Sequence, residues 1–174
     1  MKTILSLVLL VFLFAGCSRI QKPAVNAVVN EPAYDMVSLS SGSNQEKLEI
    51  SFRYWNNLKD NRGSSYQYTS KNVSAWGGQK SETVIVVYND FVINRFYYEL
   101  KGDEITSSWR EEGFDALNTH DNGAPIRRLD ELYDDCQEII NTKNDVTLAF
   151  DANGLLATCM YGKKGINIEN LFFR

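Results

Sequence analysis

The sequence predicts an α+β domain of two layers, in which two amphipathic helices lie on one face of a mainly antiparallel sheet. Three observations support this fold class. Two segments repeat apolar residues with a helical period, several β-branched runs are bounded by turn residues, and the connections between consecutive strands are short enough for hairpins. Each helix precedes a group of three strands, so the predicted order is α-β-β-β-α-β-β-β.

Three segments are predicted along the chain. Residues 1–16 are typical of a secretory leader, because Lys2 precedes an apolar run at positions 4–14 that is shorter than the roughly 20 residues of a membrane span. Residues 17–43 contain proline, serine and glycine without helical or strand period, which favours a flexible tether. Residues 44–174 are long enough for a single domain.

The first helix begins after a capping-box pattern, in which Ser43 is followed three residues later by Glu46. Apolar residues then recur at helical spacing from Leu48 onward, and Gly63 is predicted to end the helix.

Three strands are predicted next. An aromatic strand covers 66–69, a β-branched run covers 83–88, and its hairpin partner covers 91–98. The polar interval 102–125 is long for a compact domain, so it either has a functional role or contains a short strand near Ile105.

The second half of the domain repeats this plan. Apolar residues at helical spacing predict an amphipathic helix over 129–140, with an acidic opposite face. Alternating runs at 145–150, 155–161 and 166–173 predict three antiparallel strands joined by tight turns.

Composition and charge exclude some classes of function. The chain has 18 Lys and Arg against 22 Asp and Glu, a net charge of −4, without a cluster of basic residues. Nucleic acid is therefore not expected as a partner, because phosphate contacts need clustered positive charge.

Cys136 and Cys159 are the two cysteines of the predicted domain. Both lie on predicted inward faces, so they form either a disulfide, as an oxidising compartment permits, or two separate buried thiols. We favour the disulfide.

The end of the leader resembles the lipobox of bacterial lipoproteins, reading Leu13-Phe14-Ala15-Gly16-Cys17, although Leu is commoner than Phe at the second position. The resemblance implies that Cys17 is acylated and becomes the mature N-terminus, which anchors the protein to a membrane. Ser18 after the cysteine is similar to the outer-membrane form of the sorting signal. This resemblance implies that the protein is anchored in the outer membrane and faces the periplasm. An ordinary secretory signal with an unmodified Cys17 is the alternative.

The domain itself resembles a family of small bacterial secreted or lipoprotein domains of unknown function. The matching motifs are Tyr66-Gln67-Tyr68, the Val-rich hairpin at 84–95, the helix start at 128–133 and the turn at 150–155. Arg128 stands where the family usually has a capping Thr, and Leu155 lies near a common Pro position. No activity is known for the family, so the resemblance implies no catalytic residue.

Candidate catalytic and metal-binding residues are few. His120 is the only histidine, and no other ligand stands at metal-type spacing from it. The acidic helix face diverges and does not form a calcium cage. We therefore expect no metal, no cofactor and no assigned catalytic residue. A hydrolase that uses a carboxylate pair or His120 remains the alternative.

Trp76, Trp109 and Phe114 fall in predicted loops, where they either form a recognition surface or cover the core and the sheet edge. The sequence thus predicts a lipid-anchored envelope protein whose domain binds or scaffolds a protein or glycan partner.

Overall fold

The computed structural model describes residues 39–73 and 79–174 of the chain. This part contains two α-helices and seven β-strands, with a short 3₁₀ helix at Phe114–Ala116. The helices are α1 (Asn44–Arg62) and α2 (Leu129–Thr142), and the strands are β1 (Tyr66–Val73), β2 (Gln79–Tyr88), β3 (Phe91–Lys101), β4 (Glu104–Glu112), β5 (Val146–Phe150), β6 (Leu156–Tyr161) and β7 (Lys164–Phe173).

Helix α1 begins at the predicted capping box. The Glu46 amide donates to Ser43 Oγ at 3.3 Å, and the Ser43 amide donates to Glu46 Oε2 at 2.7 Å. The helix ends at Gly63, whose φ of 89° suits glycine and whose amide donates to Lys59 O at 2.8 Å. Both predicted ends of this helix are confirmed.

The seven strands form one antiparallel sheet in the order β4-β3-β2-β1-β7-β6-β5. The predicted α+β class, with two helices and an antiparallel sheet, is confirmed. The predicted order is wrong by one strand, because four strands separate α1 from α2.

The additional strand is β4. A short strand near Ile105 was predicted only as one of two alternatives for the interval 102–125, the other being a functional loop. It lies at the edge of the sheet and nearly all its side chains are exposed; Ile105 itself is 55% exposed. An edge strand with few buried side chains needs little apolar patterning, which explains its weak sequence signal.

Both helices pack against the sheet around one apolar core. Trp55 of α1 is fully buried, with its ring 4.9 Å from that of Tyr66 in an edge-to-face arrangement. The Tyr66 hydroxyl accepts from the Leu129 amide at 2.9 Å, and the Tyr68 hydroxyl donates to Arg127 O at 2.7 Å. These two tyrosines of β1 therefore fix the start of α2.

Cys136 of α2 and Cys159 of β6 come together in disulfide geometry, with their sulfur atoms 2.06 Å apart. Both residues are fully buried. The prediction that these cysteines pair is confirmed, and the pair joins the helical layer to the sheet.

The covered face of the sheet changes character from strand to strand. One cross-strand row runs Tyr68, Ile85, Arg95, Glu111 from β1 to β4, so it passes from apolar core to a charged pair. Residues opposite one another on neighbouring strands share a face of the sheet. The residues between β4 and α2 (113–128, here called the cover loop) lie over the charged end.

Candidate functional site

A buried ion pair lies on the covered face of β3 and β4. Arg95 Nε and Glu111 Oε2 are 2.8 Å apart, and Arg95 Nη2 and Glu111 Oε1 are 2.9 Å apart. The side chains are only 3% and 0% exposed. This is a bidentate arginine–carboxylate interaction. Such geometry is needed in a buried ion pair to offset the cost of removing both charges from water.

The cover loop supplies further donors to the same carboxylate. Glu111 accepts from the Asn118 amide at 3.0 Å, from the His120 amide at 2.9 Å and from the Thr119 hydroxyl at 3.3 Å. His120 Nδ1 lies 3.2 Å from Glu111 Oε1. The carboxylate therefore holds the loop through three consecutive residues.

Arg95 also binds the cover loop from the other side. Its Nη2 donates to His120 O at 3.0 Å and its Nη1 donates to Ala124 O at 2.8 Å. The pair thus holds loop positions 118–124 in two ways, because Arg95 donates to loop carbonyls and Glu111 accepts from loop amides.

The ionisation of Glu111 follows from these contacts. Burial acts to raise the pKa of the carboxyl, but the hydrogen bonds from Arg95 and from the amides of Asn118 and His120 outweigh it and hold the pKa well below its usual range. Glu111 is consequently an ionised acceptor at neutral pH and not a proton donor.

An aromatic stack lies beside the ion pair. The His120 ring is 4.4 Å from Trp109 at an interplanar angle of 6°, and Trp109 is 5.2 Å from Tyr97 at 13°. The Arg95 guanidinium lies 4.8 Å from the Trp109 ring centre. Trp109 Nε1 donates to Asn122 Oδ1 at 2.8 Å, which adds another contact between sheet and loop.

The cover loop crosses the sheet closely at Gly123. A Cβ added there would lie 2.9 Å from the Trp109 ring and 3.2 Å from Tyr97, and its φ of 97° also favours glycine. The next amide, of Ala124, donates to Thr83 Oγ1 at 2.9 Å. Residues 123–125 are therefore held against the sheet as a fixed wall.

This wall borders a cleft of about 530 Å³. Ligand sites in proteins typically enclose roughly 300–1,000 Å³. The cleft lies between residues 123–125, the adjacent ends of β1 and β2, and the turn between β6 and β7. Its lining comprises Ser70, Lys71, Asn72, Ser81, Thr83, Gly123, Ala124, Pro125, Met160, Gly162, Lys163, Lys164, Gly165 and Asn167.

Of the residues that the sequence singled out, Trp109, Phe114 and His120 are not among the described residues that line this cleft. The prediction that Trp109 falls in a loop is wrong, because it lies on strand β4, where it is half-buried in the stack. Phe114 is 63% exposed and contacts Phe91 edge to face at 6.1 Å. Trp76 and Cys17 lie outside the described residues.

His120 is 40% exposed at its side chain and contacts Glu111 and Trp109. Within the described ranges, no group of three or more His, Cys, Asp or Glu side chains is arranged to hold a metal ion.

Sequence reasoning missed the Arg95–Glu111 pair and the cleft lysines. One signal was present, since Arg95 stands in the middle of an apolar strand where a charge needs a buried partner. Nothing comparable marked Lys163 and Lys164, which stand at an ordinary predicted hairpin turn.

No helix among residues 39–73 and 79–174 is long and apolar enough to cross a membrane. Comparison with known proteins gave no match to a family model, to a curated protein or to a solved structure.

Proposed function

We propose that this chain is a lipid-anchored protein of the bacterial envelope, held through Cys17, whose domain binds a ligand in the cleft without transforming it. The observation that carries the proposal is the cleft wall at 123–125, which the buried Arg95–Glu111 pair fixes in place. A preformed wall lowers the ordering cost of binding, which favours a recognition site.

The chemistry of the cleft favours binding over hydrolysis. Its lining offers hydroxyl, amide and ammonium groups, and no Asp or Glu is among the described residues that line it. A carboxylate-pair mechanism needs two convergent acids at the reacting bond.

The hydrolase alternative that relies on His120 is also disfavoured. The Nδ1 atom of His120 faces Glu111, as in a catalytic dyad, but both carboxylate oxygens already accept from Arg95 and from the cover loop. The His120 ring stacks on Trp109 at 4.4 Å, which supports a role in holding the loop.

The binding role can be tested by filling the cleft. Ser81 lines it, so Ser81→Trp should remove ligand binding while leaving the core intact. Ser108→Trp is the matched control, because Ser108 is an exposed position on β4 that lines none of the described cavities.

The measurement is native mass spectrometry of each protein after incubation with a small-molecule extract of envelopes. We expect a bound mass on the wild type and on Ser108→Trp that is absent from Ser81→Trp. Equal adducts on all three proteins, or none on the wild type, would contradict the proposal.

The anchor is tested separately with Cys17→Ala. We expect this variant to move from the membrane fraction to the soluble fraction and to lose label from a radioactive fatty acid. Retention of the variant in the membrane fraction would contradict anchoring through Cys17.

A further inference from the structure

The cleft differs in charge from the rest of the protein. The chain carries a net charge of −4, yet the charged side chains among the described lining residues are Lys71, Lys163 and Lys164. A local positive field in an acidic protein attracts anions and repels cations, which indicates an anionic ligand.

The three lysines are not equivalent. Lys71 Nζ lies 2.7 Å from Glu169 Oε2 and 3.4 Å from Glu82 Oε1, so its charge is already compensated. Among residues 39–73 and 79–174, no carboxylate lies within 4.0 Å of Lys163 or Lys164. The positive charge available to a ligand is therefore that of Lys163, in the turn between β6 and β7, and of Lys164, the first residue of β7.

Beside this turn, β7 approaches β6 closely at Gly165, the second residue of β7. A Cβ at that position would lie 2.2 Å from Cys159 O and 2.9 Å from Met160 Cα, so only glycine fits. The position of the two lysines at the cleft follows from packing of the turn against β6, whose Cys159 pairs with Cys136 of α2.

The neutral part of the lining is rich in hydrogen-bonding side chains: Ser70, Asn72, Ser81, Thr83 and Asn167. Hydroxyl and amide groups both donate and accept, and they match the hydroxyl groups of a sugar better than the surface of an apolar molecule. A pocket of about 120 Å³ shares Asn72 and Ser81 with the cleft and is also lined by Tyr97.

Size separates an organic ligand from a lone ion. A cleft of about 530 Å³ is much larger than one inorganic anion with its contact waters, since a water takes about 30 Å³ of liquid. Polar groups distributed over four segments of the chain favour a ligand that makes many contacts.

We infer that the cleft binds an acidic saccharide, with the carboxylate or phosphate of the sugar at Lys163 and Lys164 and its hydroxyl groups at the serine and asparagine side chains. The inference rests on the proposed binding function and specifies the chemical class of its ligand. Lysine binds such groups as a point charge, so the same site accepts a uronate or a sugar phosphate.

The test is isothermal titration calorimetry with four probes: trigalacturonate, glucose 6-phosphate, neutral maltotriose and inorganic phosphate. We expect an acidic sugar to bind the wild type at least about tenfold more tightly than maltotriose or inorganic phosphate, since charge-assisted hydrogen bonds and hydroxyl contacts both contribute. Trigalacturonate and glucose 6-phosphate distinguish carboxylate from phosphate.

The variant Lys163→Gln/Lys164→Gln should weaken binding of the acidic sugar about tenfold or more, and added salt should reduce the difference from wild type. Lys47→Gln/Lys101→Gln is the matched control, because it removes the same charge away from the cleft and should leave the affinity unchanged. Thermal unfolding of both variants checks that the fold is retained.

Three outcomes would overturn the inference. The first is maltotriose binding as tightly as the acidic sugars, and the second is inorganic phosphate alone binding as tightly as they do. The third is the absence of saccharide binding to a wild-type protein that still takes up an envelope ligand lost in Ser81→Trp. In the last case the binding function stands and only the ligand class is wrong. Failure of the Ser81→Trp test itself would instead contradict the binding function.

Discussion

Two halves of one sheet face are covered in different ways. Strands β1, β6 and β7 lie under α1 and α2 through apolar side chains such as Trp55, Leu129 and Ile168. Strands β3 and β4 lie under the cover loop, which is held by the Arg95–Glu111 pair and its hydrogen bonds. The helices are held on the sheet by the burial of apolar surface, and the cover loop is held by hydrogen bonds and the ion pair.

The difference teaches how a fold can hold a binding wall in position. Apolar packing is non-directional and tolerates small shifts if volume is kept. A carboxylate with several converging donors permits one arrangement of the loop, because each misplaced donor leaves a buried polar group unsatisfied. The cover loop, which must hold a defined position over β3 and β4, is accordingly the part that is held by a buried ion pair.

The largest expected effect comes from removing one charge of the pair. Glu111→Gln leaves the Arg95 guanidinium buried without a counter-charge, and breaking a buried pair in this way costs about 3–5 kcal/mol of unfolding free energy. We expect this loss in denaturant unfolding, together with a change in the tryptophan fluorescence of the protein, since Trp109 contacts the cover loop.

The neighbouring residue provides a matched control. Glu112→Gln alters a side chain that is 54% exposed, and such surface changes usually shift stability by less than about 0.5 kcal/mol. A Glu111→Gln protein as stable as Glu112→Gln would show that the loop does not depend on the ion pair.

The disulfide provides the next effect, in the helix-covered half. Cys136→Ala/Cys159→Ala opens a link between residues 23 positions apart, which should lower the unfolding free energy by about 3 kcal/mol. Amide exchange should become faster in β5, β6 and α2 and stay unchanged in the cover loop. Equal acceleration in the loop would mean that the two halves are not held independently.

The sequence predicted the helix-covered half better than the loop-covered half. Apolar periodicity identified both helices, and the strands that they cover alternate or run apolar, because burial selects for those patterns. Strand β4 was predicted only as an alternative, since most of its side chains are exposed.

The candidate site was predicted least well. Arg95 and Glu111 lie 16 positions apart and meet only through the register of β3 with β4. The cleft brings together four separate segments, and no local pattern encodes that meeting. Trp109 was predicted in a loop as a possible binding aromatic, but it lies on β4, and its contacts with Tyr97 and His120 depend on the same register.

Acidification should lower the unfolding free energy through the loop-covered half by a smaller amount than these substitutions do. The folded-state pKa of Glu111 is below its ordinary value of 4.5, so the stabilisation is complete above that value and is lost as the pH falls below it. Only the first part of this loss occurs above pH 3, because the folded-state pKa of Glu111 is held well below its ordinary value, so the effect is smaller than that of Glu111→Gln.

The measurement is the unfolding free energy of wild type and Glu111→Gln from pH 6 to pH 3. We expect the difference between them to narrow below about pH 4.5, in line with the ordinary pKa of a glutamate. The difference between wild type and Glu112→Gln should show no such narrowing. A constant gap for Glu111→Gln would mean that the carboxylate is not linked to folding.

The smallest effect lies where the cover loop passes into α2. Arg128 occupies the N-cap position without a side-chain cap bond, although its amide donates to Glu131 Oε2 at 2.7 Å. Arg128→Ser would supply the missing acceptor, as Ser43 does for α1. The variant also removes the contact between Arg128 Nε and Glu131 at 3.3 Å, but both side chains are 36% exposed, so little is lost.

We therefore expect Arg128→Ser to raise the unfolding free energy by about 0.5–1 kcal/mol, and Ser43→Ala to lower it by about 1 kcal/mol. Both are measured by denaturant unfolding at neutral pH. If Arg128→Ser is instead less stable than wild type, Arg128 contributes more through its charge than a cap would. Polar contacts would then stabilise the chain from the Arg95–Glu111 pair to the first turn of α2. The boundary between the loop-covered and the helix-covered halves would lie within α2 and not at its start.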